Sequence, residues 1–274
     1  MKILIALGFI FTGALSEGTS HAYFLKDLKP EQRILGGQLA ASGQFPYQAA
    51  LIMSDGSNSW FCGGSIISDR WILTAAHCPD GATIVRVILG SNDINNIDSN
   101  AQQYLVKDKQ NMIIHEKYNR NNLNNDLALV KLPSTIQFNS KVKKISLPKR
   151  SSNPPSYENV IATASGWGKT KDSDPSVTNE LRFVSLKVIR NQECNRSYAP
   201  GFVVSSTLCV STRGKKSICS GDSGGPLVVG GVQGTLVGVS SFVSNSGCGS
   251  EVPAGFSRVT SYLQWIKDNT GLDV

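Results

Sequence analysis

Three short segments of the sequence place a histidine, an aspartate and a serine where their side chains could carry out nucleophilic catalysis. His77 lies in the segment TAAHC, Asp126 in NDLALV and Ser223 in GDSGGP. A serine hydroxyl is a weak nucleophile at neutral pH, so it needs a neighbouring base and a fixed, exposed position. The glycines around Ser223 allow a sharp turn in which backbone N–H groups converge beside the hydroxyl. Together the three residues supply the nucleophile, the base and the orienting carboxylate that acyl transfer requires.

Short β-strands are the elements that must position these side chains. From residue 34 onward, short apolar or alternating runs are separated by connectors rich in Asn, Ser, Gly and Pro, a pattern typical of strands joined by turns. One helical pattern stands at residues 259–269, where Val259, Leu263 and Ile266 share a face. A proline-rich connection, residues 149–157, predicts a seam between two halves. The predicted strands are residues 48–53, 64–67, 84–89, 127–132, 184–188, 227–229 and 235–239.

The composition agrees with an all-β protein. The 274 residues are 40% hydrophobic and 17% charged, with 26 Gly and 11 Pro, which argues against a disordered chain, a coiled coil and a helical bundle. The formal net charge is +7, and a basic excess is one mark of nucleic-acid-binding proteins. However, the basic clusters at residues 141–144, 149–150 and 213–216 have no aromatic stacking platform. We therefore interpret them as solvated loop charges and expect no nucleic-acid partner.

The N-terminal residues have the pattern of an export signal. Lys2 precedes an apolar run, residues 3–15, that is too short to span a bilayer comfortably. We predict a signal peptide over residues 1–22, with residue 16 as the alternative end, and hence a secreted, extracellular protein without a membrane anchor. Six cysteines follow, and an even number in an oxidising compartment predicts three disulfides. Their pairing cannot be deduced from the count alone, since six cysteines allow about 15 pairings.

Taken together, these segments resemble the chymotrypsin-type serine peptidases, which have the trypsin-like fold, and the match runs over residues 34–274. Among them, the chain is most similar to the digestive chymotrypsins of arthropods. The resemblance implies an all-β fold of two packed six-stranded antiparallel Greek-key barrels with a C-terminal α-helix. It assigns the first barrel to about residues 34–144, the second to about 145–258 and the helix to about 259–270.

The same resemblance implies catalytic roles. Ser223 would be the nucleophile, His77 the general base and then the general acid, and Asp126 the group that orients the histidine. The N–H groups of Gly221 and Ser223 would form the oxyanion hole, and Ser241 would support the aspartate. An active serine endopeptidase is therefore expected. The alternative is a homologue that has lost catalysis and acts as a binding protein.

The resemblance also bears on metals, modification and disulfides. Some vertebrate members bind calcium in the loop that corresponds to residues 90–101, but Ser91 and Ala101 occupy two of the expected ligand positions. We expect no metal and no cofactor. Asn195 opens a candidate glycosylation sequon, and His115 is interpreted as a surface strand residue. The implied disulfides are Cys62–Cys78, Cys194–Cys209 and Cys219–Cys248.

A further motif, RILGG at residues 33–37, resembles the site at which inactive precursors of this family are cleaved. Cleavage after Arg33 would release a propeptide, residues 23–33, which has no cysteine to tether it. The new α-amino group of Ile34 would pair with Asp222, a carboxylate that is costly to bury alone. Because the bond follows a basic residue, the activator would be a trypsin-like protease.

The resemblance assigns Ser217 to the base of the primary specificity pocket. Trypsin-like members have an aspartate there, so a neutral serine disfavours substrates with Arg or Lys. Large or medium apolar residues are the expected preference, and small residues, as in elastase-like members, are the alternative. Protein or peptide substrates and protein inhibitors of proteases are the expected partners of a monomer. The other expected substrate-binding residues are Ile218, Ser241, Phe242, Val243 and Ala254.

Overall fold

A computed structural model describes residues 36–231 and 233–274. The predicted signal peptide and propeptide, with Arg33 and Ile34, lie outside the described residues. Within the described part of the chain, no helix is long and apolar enough to cross a membrane.

The described residues form fourteen strands and two short α-helices, which confirms the all-β prediction. The strands of the first half are β1 (Gln38–Leu39), β2 (Gln48–Ser54), β3 (Ser59–Ile66), β4 (Trp71–Thr74), β5 (Ile84–Leu89), β6 (Gln102–Val106), β7 (Met112–Ile114) and β8 (Ala128–Lys131). The strands of the second half are β9 (Ile161–Gly166), β10 (Arg182–Ile189), β11 (Thr207–Val210), β12 (Pro226–Val229), β13 (Thr235–Phe242) and β14 (Ala254–Arg258).

The first barrel-like sheet runs in the order β6-β5-β2-β3-β4-β8-β7, and all of its pairings are antiparallel. Strands β6 and β7 flank the short 3-10 turn Lys109–Asn111. They therefore act as one interrupted strand, of which the first part pairs with β5 and the second with β8. Counted in this way, the sheet has the six strands that the sequence predicts.

The second sheet closes on itself. Its order is β1-β10-β11-β14-β13-β12-β9, and β9 also pairs with β10. The strands β9 to β14 thus form a six-stranded antiparallel barrel. The short strand β1 joins the outside of this barrel through β10, although residues 34–144 were expected in the first barrel. The start of the described chain is therefore attached to the second half.

Both α-helices lie in the second half of the chain. Helix α1 (Asn191–Cys194) precedes the 3-10 turn Asn195–Ser197. Helix α2 (Leu263–Thr270) follows the 3-10 turn Val259–Ser261, in agreement with the predicted C-terminal helix. Its Leu263 and Ile266 are buried, and it ends at Gly271, whose φ of +73° is a left-handed C-cap that glycine adopts without strain.

The two barrels meet through aromatic and polar contacts. Phe45 packs against Phe183 with ring centroids 5.2 Å apart, and Phe61 meets Trp167 edge-on at 5.8 Å. The N–H of Gly63 on β3 donates to the Ser223 carbonyl at 2.7 Å. This last bond ties the loop that carries the candidate nucleophile to the first barrel.

Candidate active site

Strand pairing brings His77 and Asp126 together. Strand β4 ends at Thr74, which lies opposite Ala128, the first residue of β8. Because the strands are antiparallel, the segment after β4 and the segment before β8 leave the same edge of the sheet. The His77 Nδ1 lies 2.8 Å from Asp126 Oδ2, and the His77 main-chain N–H donates to Asp126 Oδ1 at 2.9 Å. The carboxylate thus fixes both the ring and the backbone of the histidine.

The Asp126 side chain is fully buried, and residues of the second barrel complete its surroundings. The Ser241 hydroxyl, from β13, donates to Asp126 Oδ2 at 2.6 Å. The Ser257 hydroxyl, from β14, donates to the Asp126 carbonyl at 2.7 Å. A buried carboxylate needs such donors to compensate for lost hydration. The expected support from Ser241 is present in the structure, whereas Ser257 was missed because nothing in the sequence marks a hydroxyl facing a main-chain carbonyl.

The electrostatic surroundings of His77 make its side chain a good proton acceptor. Burial lowers the pKa of His77, but the charge and hydrogen bond of Asp126, with a further contribution from the charge of Asp80, outweigh it and raise the pKa above its ordinary value. A histidine with a raised pKa is a stronger base, and its cation is stabilised once formed. Asp80 itself pairs with Arg120.

Ser223 lies on a turn between two glycines with positive φ, Gly221 at +100° and Gly224 at +76°. Other residues rarely adopt these angles. A side chain at Gly224 would also overlap Thr74, the residue from which the chain turns toward His77. The turn that carries Ser223 is therefore packed against the turn that carries His77, and Ser223 remains partly exposed.

The backbone around Ser223 offers two free donors. Within the described part of the chain, neither the Gly221 N–H nor the Ser223 N–H donates a hydrogen bond. Between them, the Asp222 N–H donates to the Cys219 carbonyl at 2.9 Å. Unpaired N–H groups beside a serine hydroxyl are able to stabilise negative charge on a substrate oxygen.

The Asp222 side chain points into the protein and is buried. Its carboxylate accepts hydrogen bonds from the N–H groups of Gly168, at 2.8 Å, and Cys219, at 2.9 Å. Burial raises the pKa of Asp222 to about 6, although the two N–H donors oppose the shift. Among the described residues, no cation forms an ion pair with it. An unpaired buried carboxylate leaves a place for a positive charge.

The first described residue lies close to the loop that precedes the candidate pocket. A side chain at Gly36 would come within 2.7 Å of Lys216 Cγ and 3.0 Å of the Lys215 carbonyl oxygen. Gly36 is two residues after Ile34, and Lys216 immediately precedes Ser217. The chain therefore approaches this loop just after the predicted cleavage site.

The expected substrate-binding residues fall into two neighbouring groups. Buried Ile218 and Ala254 share one apolar cluster, against which half-buried Val243 packs, and Ser217 beside Ile218 is also buried. Phe242 belongs to a second cluster instead. Its ring packs edge-on against Tyr198 at 5.1 Å and Phe202 at 4.8 Å, and Leu123 packs against the same cluster. Tyr198, Phe202 and Leu123 were missed, and an aromatic pair four residues apart beside Cys194 was the available signal.

The loop between β9 and β10 adds another contact that the sequence did not suggest. Its Asp172 accepts hydrogen bonds from the N–H groups of Cys248, at 2.7 Å, and Gly249, at 3.2 Å. The same carboxylate lies within 4.8 Å of both sulfurs of the Cys219–Cys248 disulfide. Asp174, two residues on, accepts hydrogen bonds from Thr170 and Lys171 of its own loop. Asp172 therefore holds the segment after Val243 in place, whereas Asp174 shapes the loop.

His115 is not the surface strand residue that the sequence predicted. It follows β7, and only 8% of its surface is exposed. Its ring stacks on Trp265 at 5.0 Å and meets Tyr262 edge-on at 5.5 Å, and its N–H donates to the Leu127 carbonyl at 3.0 Å. The polar neighbours of His115 suggested exposure, but the C-terminal helix covers the ring.

The three disulfides join the expected pairs, Cys62–Cys78, Cys194–Cys209 and Cys219–Cys248. The first anchors the turn at His77, and the third anchors the segment at Ser217. The described residues contain two clusters of groups that could ligate a metal, but each includes two cysteines of a disulfide. In the loop of residues 90–101, Asp98 pairs with Lys141. Asn195, the candidate glycosylation site, is exposed in its 3-10 turn.

Two barrel-like sheets, with a histidine–aspartate pair and a glycine-flanked serine where they meet, define a serine endopeptidase. The sequence model of the trypsin family matches residues 34–266, and the chain belongs to this family. It is 40% identical to a collagenase of Hypoderma lineatum over 99% of both chains. It is 36% identical to a chymotrypsin of Phaedon cochleariae over 89% of this chain and 84% of that one. A solved structure of HL collagenase aligns with a TM-score of 0.79 at 40% identity, covering 88% of this chain and all of the other.

Proposed function

We propose that this serine endopeptidase is secreted as an inactive precursor, is activated by cleavage after Arg33, and cuts preferentially after large or medium apolar residues. The observation that carries the proposal is the pairing of His77 with buried Asp126 beside the Ser223 turn. Secretion is supported by the N-terminal sequence pattern and by three disulfides, which persist in oxidising compartments. Digestion of protein in such a compartment is the role that this combination favours.

In the proposed mechanism, the Ser223 hydroxyl attacks the substrate carbonyl while His77 Nε2 takes its proton. Asp126 holds the Nδ1–H tautomer and stabilises the imidazolium. The free N–H groups of Gly221 and Ser223 bind the oxyanion, where one such donor typically contributes ~3 kcal/mol. His77 then protonates the leaving amine, and an acyl-enzyme forms on Ser223. Water, deprotonated by His77, hydrolyses this ester and returns the serine.

The apolar preference rests on the chemistry of the candidate pocket. Ser217 is neutral, and Ile218 and Ala254 supply apolar surface next to it. A substrate arginine or lysine would be desolvated there without a counter-ion. The side chains of Val243 and Ala254 would narrow such a pocket, which favours small residues as the second candidate preference. Collagen is a further candidate substrate, because a relative named collagenase matches over nearly the whole chain.

The proposed activation relies on Asp222. In the cleaved protein, the ammonium of Ile34 would neutralise the buried carboxylate and order the Ser223 turn from within. The packing of Gly36 against Lys215 and Lys216 supports this, since it holds the start of the described chain beside the pocket loop. A trypsin-like protease would be the activator, and protein protease inhibitors would bind the same cleft of the monomer.

An activated sample would test the proposal. After cleavage at Arg33, a fluorophosphonate probe should label the wild-type chain and leave Ser223→Ala unlabelled. Peptide substrates ending in Phe, Leu, Ala or Arg should be cut fastest after Phe or Leu, and Ser217→Asp should shift the preference toward Arg. An unlabelled, cleaved wild type would favour the inactive binding protein instead. Fastest turnover after Arg in the wild type would overturn the pocket assignment.

A further inference from the structure

We infer that a basic surface of this protein, formed by Lys143, Lys144, Lys149 and Arg150, binds sulfated polysaccharide chains. The first support is the distribution of charge along the sequence. Residues 36–274 contain 23 Lys and Arg against 17 Asp and Glu. Residues 132–157 contain five cations and no acid. Nearly the whole basic excess is therefore concentrated in one short segment, whereas scattered loop charges would be interspersed with acids.

The fold turns these cations outward. Val142 and Ile145 are buried, while Lys143 and Lys144 between them are exposed. Main-chain bonds from Lys143 N–H to the Pro46 carbonyl, 2.8 Å, and from Ile145 N–H to the Ile66 carbonyl, 2.9 Å, hold this segment in place. The basic surface is thus a fixed feature of the connection between the barrels.

The charges of the basic surface are available to a partner. Among the described residues, none of its four cations forms an ion pair, whereas their neighbour Lys141 is neutralised by Asp98. Arg150 donates to the Gln264 side-chain oxygen, which carries no charge. Unneutralised cations in one segment repel each other, and a polyanion relieves the repulsion while releasing its own counterions.

Two hollows border the basic surface and share Lys144. One, of about 450 Å³, is lined by Phe138, Asn139, Lys143 and Lys144. The other, of about 580 Å³, is lined by Lys144, Lys149 and Arg150 together with apolar Leu147 and Leu272. Asp273 and Val274 also line the second hollow, but Asp273 pairs with Lys267 at 3.4 Å. Both hollows therefore combine cationic side chains with apolar surface.

This combination of cations and apolar surface fits a sulfated sugar chain. Its sulfates would meet the cations, and the apolar faces of its rings would lie on Phe138 and Leu147. Single-stranded nucleic acid is bound on successive stacking aromatics. Among the described residues that line the two hollows there is one aromatic, Phe138, which is 46% exposed and lines the first hollow. Neither hollow is lined by His77, Asp126 or Ser223, so a polysaccharide bound here would leave the cleft open to substrate.

Heparin binding by the purified full chain tests the inference. The variant K143Q/K144Q/K149Q/R150Q should bind heparin about 30-fold more weakly than the wild type, and the slope of log Kd against log salt should fall by about three to four. A control, K107Q/K109Q/K187Q/R196Q, removes the same charge from exposed positions elsewhere. Its heparin affinity should fall less than about threefold. Unchanged thermal unfolding in both variants would show that each is folded.

A second measurement needs no substitution. Heparin should protect Lys143, Lys144 and Lys149 of the wild-type chain from acetylation, read by mass spectrometry, more than Lys107 and Lys187. Equal loss of heparin affinity in both variants, or equal protection of all lysines, would show that heparin binding depends on net charge alone. Either result would overturn the inference. Preferential binding of RNA or of anionic vesicles over heparin at this surface would overturn the choice of partner. Heparin affinity and lysine protection are measured without a substrate. A failure of the proposed peptidase activity would therefore leave both results unchanged.

Discussion

At the scale of single residues, the candidate site depends on Asp126, which orients the His77 ring and raises its pKa. The Asp126 carboxylate binds the ring Nδ1 and the backbone N–H of the histidine and accepts the Ser241 hydroxyl. The Ser257 hydroxyl donates to the main-chain carbonyl of Asp126. The chain order of histidine, aspartate and serine was enough to nominate these residues. The hydroxyls that hold the aspartate needed the fold, because β13 and β14 are more than 100 residues away in sequence.

The Asp126→Asn variant should separate base strength from simple structural loss. Activity requires neutral His77, and Asp126 raises the pKa of His77 above the ordinary value for histidine, about 6.5. The acid limb of the wild-type pH profile, where kcat/KM falls, should therefore lie at a pH above about 6.5. The amide removes that effect, so the acid limb should move to lower pH. At neutral pH the rate should drop by about 10⁴-fold, the loss typical of this change in chymotrypsin-type peptidases. A pH profile of kcat/KM checks both, and an unmoved acid limb would contradict the role of Asp126.

At the scale of elements, the strands were easier to predict from the sequence than the loop contacts beside the candidate site. Strand positions followed from apolar runs in the sequence, since a buried strand needs apolar residues along its length. The loop contacts could not be predicted in this way, because a hydrogen bond from a side chain to a distant backbone group produces no periodic pattern in the sequence. Asp172 and Asp174 look equivalent in the segment KTKDSDPS, yet one holds the segment at Cys248 and the other holds its own loop.

Asp172→Ala should loosen the pocket wall while leaving the catalytic bonds intact. Losing two hydrogen bonds to a carboxylate in an exposed loop should raise KM for substrates ending in Phe by about 5- to 10-fold with little change in kcat. Substrates ending in Ala, which need less of the wall, should be less affected. Asp174→Ala is the matched control, expected to leave the ratio of Phe to Ala cleavage as in the wild type. The same ratio in both variants would show that Asp172 only stabilises the fold.

His115 is a second element-scale feature, since it joins the segment before Asp126 to helix α2. Burial lowers the pKa of His115, with Lys117 acting in the same direction and Glu116 opposing them. The unfolded chain therefore takes up this proton more readily than the folded one, so the stabilising contribution is present above pH ~6.5 and is lost as the pH falls. The Nδ1 also accepts the Lys117 N–H at 3.1 Å, a bond that protonation removes.

His115→Phe should keep the stack on Trp265 and abolish this acid sensitivity. At pH 8 the variant should unfold at a temperature about 2–4 °C lower than the wild type, because the Lys117 N–H loses its acceptor. The gap should close toward pH 5, where the wild type has lost the same bond. Thermal unfolding of both chains across this range is the measurement. A gap that stays constant with pH would show that the pKa of His115 is the same in the folded and unfolded chains.

At the scale of the whole molecule, sequence reasoning recovered the two barrel-like sheets and the C-terminal helix, and it nominated the segments of the candidate site. The sequence motifs of these segments are local, so a short stretch such as GDSGGP can be recognised without the structure. What it could not recover is set by packing between distant segments. His115 is covered by a helix about 150 residues later in the chain, and β1 leaves the first half to join the second barrel. Likewise, the sequence did not show that the cations of the basic surface are exposed and form no ion pair with another described residue.

The proposed activation makes a prediction for the stability of the entire chain. Without a cationic partner, the pKa of Asp222 is raised to about 6. Between about pH 4 and pH 6, the Asp222 carboxyl group of the folded uncleaved chain therefore holds a proton that the unfolded chain has already lost. Its stability should therefore decrease as the pH rises from about 4 to 6. After cleavage, the Ile34 ammonium would stabilise the charged carboxylate, so this decrease should disappear, and the cleaved chain should be the more stable form at pH 7.

Thermal unfolding of two Ser223→Ala chains, one cleaved after Arg33 and one protected by Arg33→Gln, measures this difference without self-digestion. The gap in melting temperature should be largest near pH 7. It should shrink below pH 6, where Asp222 becomes protonated in the uncleaved chain and needs no partner. Asp222→Asn should abolish the dependence of the gap on pH, because the amide neither ionises nor pairs with an ammonium. Equal melting temperatures at pH 7 would mean that the new amino terminus does not reach Asp222, and the switch would then have to lie elsewhere.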